Sequence, residues 1–158
     1  MPNIKVIIIG DPRVGKTSLL NRLVEDRFDE ESISTTGVDM SVVTINNRKY
    51  TLWDTAGQEE YSHITSNFYR NADVVLLLHD ITRRESTESL KNWILRVHAY
   101  CKSDIPILIL SNKCDLEGKQ STAKIDGVTV KHISTSAKTG EGFDQIKLFL
   151  DSIQVDQT

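Results

Sequence analysis

The sequence predicts an α/β domain built on a mostly parallel six-stranded sheet, with one antiparallel hairpin strand and helices on both faces. Three observations carry that prediction. Residues 4–9 form a near-continuous β-branched run ending at Gly10, the pattern of a strand covered on both faces. Short apolar runs of this kind alternate along the chain with amphipathic stretches at helical spacing. One pair of runs is separated only by Asn46-Asn47, which marks a hairpin with a two-residue turn.

The elements follow in order. After the strand at 4–9, a helix starts at Gly15 and places Leu19, Leu20 and Leu23 on one face, running to about Glu25. Residues 38–45 and 48–53 are the hairpin strands. Residues 73–79 read as another buried strand. A helix over 86–101 turns Leu90, Trp93, Ile94 and Val97 inward, with Thr82 or Ser86 as its cap. Residues 105–110 and 129–133 are strands, and 142–153 is a last helix facing inward with Phe143, Ile146, Phe149 and Leu150. No linker, repeat or low-complexity stretch interrupts the chain, so residues 1–158 are expected to form one domain.

Composition narrows the function. Against 19 Lys and Arg stand 22 Asp and Glu, a net charge of −3, so no global positive field points to nucleic acid. The longest aliphatic run, residues 74–78, falls far short of the ~18 apolar residues of a membrane span. The N-terminus enters a strand pattern at once, without a secretory signal. Cys101 and Cys114 are the only cysteines and lack metal-ligand spacing, which reads as a reduced, cytoplasmic compartment. His63, His79, His98 and His132 form no metal-binding pattern and read as surface or packing histidines.

The chemistry begins at Gly10-Asp11-Pro12-Arg13-Val14-Gly15-Lys16-Thr17. This segment fits G-x-x-x-x-G-K-[ST] and lies between a buried strand and a helix, where the mechanism requires it. Glycines let the backbone wrap a phosphate chain, and successive N–H groups at the helix start supply partial positive charge. Lys16 can reach the β- and γ-phosphates, and the Thr17 hydroxyl can bind Mg²⁺.

Two further regions select the nucleotide. Trp53-Asp54-Thr55-Ala56-Gly57-Gln58-Glu59 resembles the second switch of Ras-superfamily small GTPases. Asn112-Lys113-Cys114-Asp115 and Ser136-Ala137-Lys138 resemble that family's guanine-recognition segments. Thr35-Thr36-Gly37-Val38-Asp39-Met40, Phe68-Tyr69-Arg70-Asn71-Ala72 and His79-Asp80-Ile81-Thr82 are similar to segments of the Rab branch. The resemblance covers nearly the whole chain and implies the fold of a P-loop GTPase.

The resemblance also implies residue roles. Phosphate contacts fall to Asp11, Arg13, Val14, Gly15, Lys16, Thr17 and Ser18. Thr17, Thr35 and Asp54 would hold Mg²⁺. The Gly57 N–H would meet the γ-phosphate and Gln58 would orient the attacking water, so Lys16, Gly57 and Gln58 are the expected catalytic set. Thr35 would reach the metal only while the γ-phosphate is present, which makes its segment a sensor. For the base, Asp115 would accept from two guanine donors that adenine lacks. Asn112 and Lys113 would support the loop and pack on the ring. The N–H of Ala137, between Ser136 and Lys138, would donate to the guanine oxygen, and Phe28 would stack over the base from the other side. Taken alone, Asp115 reads as a solvated loop aspartate; its four-residue context makes it a ligand.

Several positions depart from the family. Pro12 fixes φ and removes one loop donor, while Arg13 lacks glycine-like freedom. Arg13 either points to solvent, supplies charge to the phosphates in cis, or impairs hydrolysis by crowding Gln58. Ser32 stands where the family often has a tyrosine over the phosphates. Residues 116–135 are fewer than usual between the two base segments, so the helix before the last strand is expected to be short or absent. Glu117-Gly118-Lys119-Gln120 and Asp126-Gly127 there are turn signals. The chain stops at Asp156-Gln157-Thr158 without the lipidated cysteines of Rab tails, which leaves a trimmed chain or an unlipidated protein. Arg83-Arg84 followed by Glu85 reads as a solvated charged turn.

The expected function is a Rab-like guanine-nucleotide switch. It would bind GTP or GDP with Mg²⁺, hydrolyse GTP slowly and act in vesicle trafficking or signalling. Its place would be the cytoplasm, including the cytosolic face of endomembranes. An exchange factor, an activating protein and effectors would read the switches, with Met40, Trp53 and Phe68 as an exposed apolar patch or as partial core. Two alternatives remain open: a nucleotide-binding interaction module with little or no hydrolysis, and a P-loop phosphotransferase of the nucleoside-kinase type.

Overall fold

The computed structural model describes residues 3–11, 15–25, 39–54, 68–80, 82–102, 104–112, 124–125, 128–129, 131–136 and 138–153. Its strands are β1 (Asn3–Gly10), β2 (Asp39–Ile45), β3 (Arg48–Asp54), β4 (Val74–Asp80), β5 (Ile107–Asn112), β6 (Lys124–Ile125), β7 (Val128–Thr129) and β8 (Lys131–Ser134). Its helices are α1 (Lys16–Glu25), α2 (Arg84–Glu88), α3 (Leu90–Tyr100) and α4 (Phe143–Asp151).

Six strands form one sheet in the order β2-β3-β1-β4-β5-β8. All neighbours run parallel except β2 and β3, so the sheet is the expected mixed one. The chain leaves β1 towards β3 and returns to add β4 on the other side. That reversal puts a topological switch point at the carboxyl end of β1, where ligands bind in such sheets.

Alternation along β1 builds two core layers. Ile4, Val6 and Ile8 pack with Leu19, Leu20 and Leu23 of α1 and Phe143, Ile146 and Leu150 of α4. Ile7 and Ile9 pack on the opposite face with Leu90, Trp93, Ile94 and Val97 of α3. Every residue of β4 is buried, as a strand covered by helices on both faces must be. The hairpin turn is also as expected: Asn46 and Asn47 both take positive φ, 50° and 65°, the geometry of a type I′ turn.

Several element boundaries differ from expectation. The strand expected at 105–110 begins at Ile107 and runs to Asn112. Pro106 has no N–H to give to a ladder, although its carbonyl accepts from Val75 N at 3.0 Å. At the other end, pairing with His79 and Asp80 carries Ser111 and Asn112 into the sheet. The neighbouring strand is likewise shifted one residue, to Val74–Asp80.

The helix expected at 86–101 starts at Arg84 and breaks in name only at Ser89. Ser89 N donates to Glu85 O and Trp93 N to Ser89 O, both at 3.1 Å. Ser86 lies inside α2, and the Thr82 hydroxyl donates to Asp80 Oδ1 at 2.6 Å. Ser89 therefore stands at the cap position of α3, its own hydroxyl turned back to Glu85 O at 2.8 Å. The single strand expected at 129–133 is divided: Val128–Thr129 pairs with Lys124–Ile125, while Lys131–Ser134 joins the main sheet. Between β5 and β8 the described residues are strand. Residues 113–123, where a shortened helix was expected, and Asp126 and Gly127 lie outside the described residues.

Candidate functional site

The carboxyl ends of β1, β3, β4 and β5 lie along one edge of the sheet, and α1 starts beside them. Gly10 closes β1, and Leu19 N donates to Gly15 O at 2.9 Å, which makes Gly15 the residue on which α1 begins. The amides of that first turn have no intrahelical acceptor and favour an anion. The Lys16 ammonium folds back over the loop, donating to Gly10 O at 2.6 Å and to Asp11 O at 3.4 Å. Lys16 is only 4 % exposed, so its charge is held at the end of β1 by these carbonyls.

Asp54 ends β3 in register with Ile8 and is fully buried. A buried carboxylate at this edge suits a hard cation or a polar network. Ser18 lies in the first turn of α1 and is partly exposed; of Thr17 the backbone is described, within the same turn.

Asn112 links the chain after β8 to the start of α1. Thr135 Oγ1 donates to Asn112 Oδ1 at 3.3 Å, and Asn112 Nδ2 lies against Gly15 where a Cβ would otherwise stand. Thr135 N donates to Ser111 O at 2.8 Å, fixing the chain after β8 to the end of β5. Ser136 is fully buried and organises the next turn: its carbonyl accepts from Gly140 N at 2.8 Å and its Oγ from Thr139 N at 3.2 Å. Lys138 is exposed beside it.

The structure thus brings together Asp11, Gly15, Lys16, Ser18, Asp54, Asn112, Ser136 and Lys138 along one edge, with the Thr17 backbone. Pro12, Arg13, Val14, Phe28, Ser32, Thr35, Gly57, Gln58, Lys113, Cys114, Asp115 and Ala137 lie outside the described residues. Among the described residues no group of three or more His, Cys, Asp or Glu is placed to hold a metal by itself.

One expectation is corrected. Phe68 is not part of an exposed patch: it is 2 % exposed and packs edge-on against Tyr69, centroids 5.3 Å apart. The cause lies five residues on, where the Asp73 carboxylate accepts from Lys5 N at 2.8 Å and Asp73 N donates to Lys5 O at 2.9 Å. That anchor pulls the segment onto β1 and turns the ring inward. Met40 is 57 % exposed, and its register partner Trp53 is half-buried with Lys5 Nζ 4.3 Å from the ring centroid.

Sequence reasoning treated Trp93 as core alone. Its indole N–H also donates to Asp11 Oδ1 at 2.8 Å. A lone tryptophan on an apolar helix face carries no sequence signal for such a bond.

Comparison with known proteins agrees with this geometry. The Ras family model matches residues 5–154. The chain belongs to the Ras family. The human Ras-related protein Rab-8B is 39 % identical over 151 residues, covering 89 % of this chain and 73 % of the relative. The Ras-related protein SEC4 of Candida albicans is 37 % identical over 159 residues, 94 % of this chain and 76 % of the relative. The Ras-related protein Rab-8 of Diplobatis ommata is 39 % identical over 145 residues, 85 % of this chain and 69 % of the relative. Within the Ras superfamily the chain is of the Rab branch. This Ras-family chain is a GTP- and GDP-binding switch of the vesicle-trafficking kind and a GTPase.

Proposed function

We propose that the nucleotide lies along the edge formed by β1, β3, β5 and the chain after β8, within one domain spanning residues 1–158. Asp11, Arg13, Val14, Gly15, Lys16, Thr17 and Ser18 would embrace its phosphates. Asn112, Lys113, Asp115, Ser136, Ala137, Lys138 and Phe28 would form the guanine side. The observation that carries this reading is the seat of Lys16 on the Gly10 and Asp11 carbonyls, joined to the base side through Asn112 against Gly15.

Hydrolysis on this reading is positioning and charge neutralisation. Lys16 draws charge from the β- and γ-phosphates, the Gly57 N–H fixes the γ-phosphate, and Gln58 orients the water that attacks it. Asp54, with the hydroxyls of Thr17 and Thr35, offers hard oxygen donors that fit Mg²⁺, and the full burial of Asp54 supports that assignment. Mg²⁺ would neutralise phosphate charge there. Once the γ-phosphate is gone, Thr35 and Gly57 lose their anchors and the two switch segments relax.

Effectors, an exchange factor and an activating protein would read the switches, with Met40 and Trp53 as the apolar contacts that remain after Phe68 is assigned to the core. The site of action would be the cytosolic face of endomembranes. Among the described residues no helix is long and apolar enough to cross a membrane.

Titrating fluorescent GDP and ADP into the wild type, Lys16→Ala and Asp115→Ala tests the assignment. The wild type should prefer GDP, Lys16→Ala should weaken binding by at least about tenfold, and Asp115→Ala should erase the preference. Undiminished GDP affinity in Lys16→Ala would place the phosphates elsewhere.

A further inference from the structure

We propose that Trp93 is a positioning residue for the phosphate loop, fixing the Asp11 carboxylate so that the loop entry is held against Lys16. The proposal deepens the nucleotide assignment above and rests on it. Trp93 sits on α3 and is 8 % exposed, packed with Ile7 and Ile9 of β1, the strand that leads into the loop. Its Nε1–H donates to Asp11 Oδ1 at 2.8 Å across 82 residues of sequence. The Arg96 guanidinium lies 4.6 Å from the ring centroid and holds the indole plane from its own helix.

Asp11 therefore serves two partners. Its carbonyl, with that of Gly10, accepts from the Lys16 ammonium, while its side chain is bound by Trp93. A carboxylate at the mouth of an anion site repels phosphate unless its direction is controlled. A charge-assisted bond from an indole whose other atoms are buried supplies that control, because the ring cannot turn to follow a moving acceptor. Freed from Trp93, the carboxylate would sample the phosphate side, and the Asp11 carbonyl would lose its fixed aim at Lys16. α3 would then set nucleotide residence through one hydrogen bond, without touching the nucleotide.

A double-mutant cycle on the full chain tests this, with fluorescent GDP release in Mg²⁺ buffer as the readout and thermal melts to confirm folding. Trp93→Phe keeps the ring and removes the donor. Release should quicken roughly tenfold in Trp93→Phe, yet Trp93→Phe should change nothing further once Asp11→Ala is present. An equal factor in both backgrounds, or none in either, would reduce Trp93 to packing and overturn the proposal. As a second measurement, the emission of Trp93 in a Trp53→Phe chain should shift when Asp11→Ala removes its acceptor; unchanged emission also overturns it. Failure of the wild type to take up GDP at all would instead remove the nucleotide assignment, and is seen before any variant is made.

Discussion

Asn112 Nδ2 occupies the place beside Gly15 that a Cβ would take. Gly15 also has φ +101°, a conformation side chains rarely adopt. Both facts bear on one residue at the start of α1, so Gly15→Ala must move either the loop or the base-side asparagine. GDP affinity should fall by at least about tenfold, with a stability loss of about 1–3 kcal/mol. Calorimetric titration and a thermal melt on the same sample check both numbers.

Arg48 closes the carboxyl end of α4. Its Nη1 donates to Asp151 O at 2.7 Å and its Nη2 to Ile153 O at 2.7 Å. Arg48→Ala would leave those carbonyls to water and should cost about 2 kcal/mol in denaturant unfolding. Tyr50 OH donates to Asp151 Oδ1 at 2.9 Å, and burial with that bond pushes its phenol up to about 12. Tyr50→Phe should therefore cost less, about 1 kcal/mol, because the Asp151 carboxylate also accepts from Asn46 Nδ2. A larger loss from Tyr50→Phe than from Arg48→Ala would contradict this ranking.

His79 is buried in β4 and paired with Ser111 Oγ at 2.7 Å. Burial lowers its pKa from 6.5 to about 4, with a further push from His132 and an opposing pull from Asp80. The folded chain thus resists a proton that the unfolded chain accepts. Stability from this group is complete above pH 6.5 and is lost as pH falls towards 4, by up to about 3 kcal/mol. His79→Gln, which stays neutral and can still bond Ser111, should flatten that part of the stability profile. A wild-type slope that persists unchanged in His79→Gln would assign it to other groups.

Cys101 should resist thiol reagents in the folded state. Its thiol is half-buried, donates to Tyr69 O at 3.8 Å, and is pushed up to about 11 by burial, against the opposing charge of Lys5. Little thiolate exists at neutral pH under those conditions. In a Cys114→Ser chain, modification should wait for denaturant. Prompt reaction in the native protein would contradict the burial.

Much of this fold was legible because its signals are local. The run at 4–9, the leucines of α1 and Asn46-Asn47 each announce an element without help from distant residues. The misplaced ends are those decided across the sheet. Asp80 and Asn112 are polar and read as loop, yet they lie in β4 and β5 because the two strands extend each other. Phe68 shows the same limit: its hydrophobicity suits a patch or a core, and the long-range Lys5–Asp73 anchor decides for the core. At the site, the spacing G-x-x-x-x-G-K-[ST] named Lys16, and the family resemblance named Asp54 and Asn112. The Trp93–Asp11 bond was not legible, since nothing in either segment refers to the other.

Single-turnover hydrolysis is the most direct test of the central claim. The full chain is loaded with GTP, Mg²⁺ is added, and GDP formation is followed, with ATP as the parallel loading control. Slow, steady conversion of GTP with no loading of ATP is the predicted result. Equal loading by ATP would contradict the guanine site, and loaded GTP that never converts, even slowly, would contradict intrinsic hydrolysis.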